Sequence, residues 1–157
     1  MLIVKRWIWP GLLVCMLASS LSADIESSKA ECQAKCRAAA ELIQTGGMAE
    51  AVCEISKRRG RFVNGEIFVY MMNMDGVMLA HPMVPALIGE NLSGVVLKDR
   101  HGRPQPMMLV NFAKSHDSGW LSYLWPRPGT DKPLEKMCYV LKVPGTNVFL
   151  VSGFYPD

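Results

Sequence analysis

The chain has 157 residues, of which 50% are hydrophobic and 20% charged, and its formal net charge is +3. That length allows one domain with a modest core. The charge is too small for a nucleic-acid partner, and the basic run Lys57-Arg58-Arg59-Gly60-Arg61 reads as a solvated helix end.

The N-terminus has the three parts of a secretory signal. Lys5 and Arg6 form a positive start, Trp7 to Leu17 is apolar apart from Pro10-Gly11, and small residues lead to Ala23. The expected cleavage follows Ser22 or Ala23, making residues 1–23 a signal peptide. An uncleaved membrane anchor is the alternative, although the apolar run is about half of the roughly twenty residues that span a bilayer. A lipid anchor at Cys15 is disfavoured by Val14 just before it. Removing residues 1–23 leaves 134 of the 157 and brings the charge from +3 to +1. Four cysteines then remain, Cys32, Cys36, Cys53 and Cys138, and an even number in an oxidising compartment reads as two disulfides.

Residues 25–44 read as an Ala-rich helix, stopped by Gly46-Gly47, and a second helix is expected from about Met48 to Lys57. Together they make residues 24–60 an N-terminal helical hairpin. The spacing from the turn favours Cys36 pairing with Cys53, which leaves Cys32 with Cys138. Residues 61–157 form the core. Glu66–Asn73 is apolar on both alternating faces, a strand buried on both sides, and Asp75-Gly76 turns it into a second strand, Val77–Ala80, ended by His81-Pro82. Met83–Gly102 is irregular. A helix from about Pro106 to His116 is expected to turn Met107, Met108, Val110 and Phe112 inward. Three strands follow, Gly119–Trp125, Glu135–Val143 and Asn147–Phe154. The class is α+β: a PAS-like, five-stranded antiparallel sheet with an N-terminal helical segment and helices on one face. A small molecule fits between such a sheet and the loop-and-helix excursion.

From Phe62 to Tyr155 the chain resembles a single Cache domain, the extracellular sensory module of bacterial chemoreceptors and sensor kinases. The resemblance is carried by Gly65–Asn73 with Asp75-Gly76, Leu79-Ala80-His81-Pro82, Leu87-Ile88-Gly89-Glu90-Asn91, and Asp99 with Gly102. It continues through Gly119-Trp120, Tyr123, Trp125-Pro126 and Pro128, then Lys136, Tyr139-Val140 and Gly153-Phe154-Tyr155. It implies a PAS-like core that binds a small molecule, often a short organic acid, and works through a membrane receptor or kinase. The cysteines look unusual for that family, and Val95–Lys98 is less polar than expected.

The densest polar and aromatic cluster is Trp120, Tyr123, Trp125, Lys136 and Tyr139, joined by Tyr70 and His81 from the first hairpin. A lysine ammonium beside phenols and an imidazole makes a receiver for a small carboxylate. The competing roles are ordinary ones: core packing for the aromatics, a surface ion pair for Lys136, and backbone bonding at the hairpin end for His81. The eleven methionines read as core filler, not as copper ligands. A thiol-redox or zinc protein using Cys32, Cys36 and Cys53 is a further alternative. No nucleophile elbow and no glycine-rich phosphate loop is present, so neither enzyme chemistry nor a cofactor is expected. The expected function is a secreted or periplasmic small-molecule sensor that acts through a separate membrane partner.

Overall fold

The computed structural model describes residues 12–94, 105–127, 130 and 133–156. The basic start of the signal, Val95–Lys98, the Asp99 and Gly102 turn, and Pro128 lie outside the described residues.

Helix α1 runs from Leu12 to Gly46 without a break, so the expected cleavage point falls within it. Its buried stripe, Cys32, Cys36, Ala39 and Ile43, recurs every three or four residues, the spacing of one helical face. Gly47 then takes φ +87°, a left-handed conformation that costs a glycine little, and α2 follows over Met48–Ile55 with Ala51 and Ile55 buried.

The strands are β1 (Val63–Asn64), β2 (Ile67–Asn73), β3 (Met78–Ala80), β4 (Ser118–Pro126), β5 (Pro133–Lys142) and β6 (Val148–Phe154). They form one antiparallel sheet in the order β1-β2-β6-β5-β4, with β3 also on β2. β1 pairs at Ile67 and Phe68 and β3 at Met71 and Met72, so the two short strands hold opposite ends of β2. The Asp75-Gly76 turn is built as its residues demand. Asn73 Oδ1 accepts the Asp75 and Val77 amides at 3.0 and 2.8 Å, and Gly76 takes φ +88°. Between β3 and β4 lie two short 3-10 turns, Pro85–Leu87 and Leu92–Gly94, and helix α3 (Gln105–Ser115). α3 turns Leu109, Val110 and Ala113 inward; Met107, Met108 and Phe112 are only half-buried.

Strand alternation sorts the core into two layers. Val69, Met71, Tyr139, Leu150 and Phe154 pack with α1 and α2. Phe68, Tyr70, Met72, Tyr123, Cys138, Val140, Phe149 and Val151 pack with α3 and the excursion. Met71, Met72 and Met78 are buried in these layers, as filler.

The expected disulfides are absent: Cys32, Cys36, Cys53 and Cys138 are all free thiols. The pairing fails on direction. Cys53 is exposed, while Cys36 lies buried on the inner stripe of α1. Cys32 packs in the α1 layer, whereas Cys138 belongs to the layer on the opposite face of the sheet. The same arrangement removes the zinc alternative, because Cys53 does not converge with Cys32 and Cys36. Among the described residues no three His, Cys, Asp or Glu side chains gather for a metal.

Candidate functional site

Between the sheet and the excursion lies a cavity of about 110 Å³. One water needs on the order of 10–15 Å³ of such space, so the cavity takes a molecule of several heavy atoms. The sheet supplies its floor through Phe68, Tyr70 and Met72 of β2, Tyr123 and Trp125 of β4, and Lys136 of β5. The excursion supplies apolar walls, among them Met83, Leu87, Leu92 and Leu109.

Lys136 is 4% exposed. Its Nζ lies 4.8 Å from the centre of the Phe68 ring and 5.4 Å from that of Tyr155, within cation–π range. The ion pairs among the described residues join Lys29 to Glu26, Lys35 to Glu31, Lys57 to Glu54 and Arg127 to Glu66; none reaches Lys136. Among the described residues the ammonium meets ring faces and no carboxylate, and a buried charge left so is electrostatically incomplete.

His81, 8% exposed, closes one side of the cavity. Its Nδ1 accepts the backbone amides of Met83 and Val84 at 3.1 and 3.0 Å. That pattern assigns the ring proton to Nε2 and makes the imidazole neutral. Burial, with the Lys136 charge as the smaller cause, pulls its pKa down to about 4. The ring stacks on Tyr70, centroids 5.4 Å apart and 24° between planes. Below it, the Cys138 thiol donates to the Tyr123 hydroxyl at 3.2 Å, and that hydroxyl meets the Tyr70 hydroxyl at 3.3 Å. Burial drives the pKa of both phenols well up and raises that of the Cys138 thiol, so all three stay protonated. Among the described residues the site therefore offers the Lys136 positive charge and several neutral donors within apolar walls.

Residues 28–157 match the family model described as the Cache domain. The chain belongs to the Cache family. A Cache domain is a ligand-binding sensor, the module of chemoreceptors. The chain is 28% identical over 90 residues to the methyl-accepting chemotaxis protein McpP of Pseudomonas putida, a match covering 57% of this chain and 16% of that receptor. The chain thus matches under one fifth of the length of that curated relative. A Cache chemosensory domain studied for carboxylic acid recognition has the same fold, with TM-score 0.63 and 24% identity over 90% of this chain and 97% of that one. A methyl-accepting chemotaxis protein from Vibrio parahaemolyticus aligns with TM-score 0.69 and 21% identity, again over 90% and 97%.

Of the seven residues expected to bind ligand, this Cache domain brings five to the cavity: Tyr70, His81, Tyr123, Trp125 and Lys136. Trp120 and Tyr139 lie elsewhere. They are register partners on β4 and β5, their ring centroids 5.3 Å apart, and they pack with Phe154 in the layer under α1. Their positions have the opposite strand parity to Tyr123 and Lys136, which sends their side chains through the other face. Phe68, Met72 and Tyr155 are the notable additions to the cavity. Phe68 and Met72 share the parity of Tyr70 and were open to prediction from it; Tyr155 lies just past the last strand.

Proposed function

We propose that this chain is an exported sensor that binds a short organic carboxylate at Lys136 and passes the bound state to a membrane receptor or kinase. The observation that carries this reading is the buried Lys136 ammonium with no carboxylate partner among the described residues. A ligand carboxylate supplies the missing charge and accepts from Lys136, His81 Nε2 and a tyrosine hydroxyl, while its short tail meets the methionine and leucine walls. The fold-mate studied for carboxylic acid recognition supports the same ligand class. The signal-like N-terminus supports export. Calorimetric titration with acetate, propionate, pyruvate and lactate tests the ligand. Binding of at least one acid, lost in Lys136→Ala, is expected; silence across the panel, or a variant that binds like wild type, refutes the carboxylate reading.

A second reading keeps residues 1–23 as a membrane anchor, and the unbroken course of α1 from Leu12 favours it. Among the described residues no helix is long and apolar enough to cross a membrane. N-terminal sequencing of the exported protein separates the two readings.

A further inference from the structure

Tyr155 follows β6 and is 6% exposed. It is fixed from two sides. Its hydroxyl donates to the Pro126 carbonyl at 2.9 Å, and the Arg127 guanidinium carbon sits 5.4 Å from its ring centre. Arg127 is itself immobilised by a two-pronged ion pair with Glu66, at 2.7 and 2.8 Å, just before β2 begins. The same ring has Lys136 Nζ at 5.4 Å. One aromatic ring thus ties three strand ends to the cation in the cavity.

A lysine has a long flexible stem, and its three donors serve an anion only when the head is already in place. Backbone register fixes where Lys136 starts, but not where its ammonium ends. The ring faces of Phe68 and Tyr155 set that end point, and only Tyr155 is clamped from outside the cavity by Pro126 and Arg127. We propose that Tyr155 is a positioning residue for the Lys136 ammonium, so that ligand affinity depends on the chain's C-terminal segment through this ring. The inference rests on the carboxylate reading above and adds to it the residue that presents the charge.

Propionate is the probe, titrated into the full chain bearing phenylalanine and then mono-, di- and trifluorinated phenylalanine at position 155. Fluorine drains the ring face of negative potential while leaving its shape nearly unchanged. A role limited to packing does not respond to the series. Tyr155→Phe is expected to stay within a few-fold of wild type, and affinity is expected to fall stepwise, to about tenfold at the trifluorinated ring. Tyr155→Leu, checked for folding by its melting temperature, is expected to lose at least as much. A flat or rising series, while wild type binds propionate and Lys136→Ala does not, overturns the role of Tyr155 and leaves the carboxylate reading intact. A wild-type protein that binds no acid on the panel overturns both.

Discussion

Lys136 on β5 and Tyr123 on β4 are directly opposed in the antiparallel register, so a buried ammonium and a buried phenol project from the same face of the sheet. Tyr123 is bonded to Tyr70 and to Cys138, and the ammonium instead rests on aromatic rings. Among the described residues, the neutral half of the site finds its partners and the charged half finds no carboxylate.

That imbalance predicts opposite effects of one substitution on stability and on binding. Lys136→Met keeps most of the stem and removes the charge. The ligand-free protein is expected to gain about 1 kcal/mol or more, since a buried ion with no carboxylate partner among the described residues costs more than ring faces return. Its melting temperature then rises by roughly 3–5 °C. Propionate, which is expected to raise the wild-type melting temperature, leaves the variant unmoved. A variant less stable than wild type shows that the ammonium is already well compensated.

Stability is expected to depend on pH through His81. Its folded pKa is about 4, against roughly 6.5 for a free imidazole, so from about pH 6.5 downward the unfolded state binds the proton that the folded state refuses. The contribution is present above about pH 6.5, shrinks as pH falls, and is lost as pH passes down through about 4. Its full size is on the order of 3 kcal/mol. Carboxylates titrate in the same range, so the measurement is a difference: urea midpoints of wild type and His81→Asn from pH 4 to 7. The wild-type curve is expected to be the steeper. Parallel curves reject the assignment.

The thiols are expected to separate by burial. Cys53 is exposed and should react with a chromogenic disulfide reagent in the native protein within minutes. Cys32, Cys36 and Cys138 should react only after unfolding. Burial pushes the Cys32 thiol up to about 11 and raises the other two, so little thiolate is present. Mass mapping of the labelled sites distinguishes them. A protein with no titratable thiol in denaturant would restore the disulfide pairing that the structure rejects.

How far the site was legible follows from the same residues. The strands were readable because Ile67–Asn73 is apolar on both parities and Asp75-Gly76 admits a tight turn. Parity also separates Tyr123 and Trp125 from Trp120. What it does not say is which parity faces the cavity. That is settled by α1, which covers one face through contacts as remote in sequence as Gln44 with the Pro144 carbonyl. Trp120 and Tyr139 were misplaced for this reason. His81 served both of its weighed roles at once, one nitrogen on the backbone and the ring against the cavity. The cysteines misled because count and compartment speak to the chance of a disulfide, not to the direction of a Cβ bond. Tyr155 carried no periodic signal, since it lies one residue beyond β6 and its value comes from what surrounds it.

Gly153 provides the last test, because its role is space. It is not among the glycines with positive φ, so its backbone would accept alanine. A Cβ there would stand 2.5 Å from Cys138 Sγ, 2.6 Å from the Met137 carbonyl oxygen and 3.1 Å from Lys136 Cε. The bare backbone is what lets the lysine stem and the thiol cross this part of the sheet. Gly153→Ala is expected to cost about 1–3 kcal/mol, the usual penalty of overpacking, and to weaken propionate binding by displacing Lys136. Adding Cys138→Ala relieves the sulfur contact but not the carbonyl contact, so only part of the stability should return. Denaturant melts of the two variants against Cys138→Ala alone close the cycle. Full recovery in the double variant would place the whole conflict on the thiol, and no loss in Gly153→Ala would show that the strands part more easily than this packing implies.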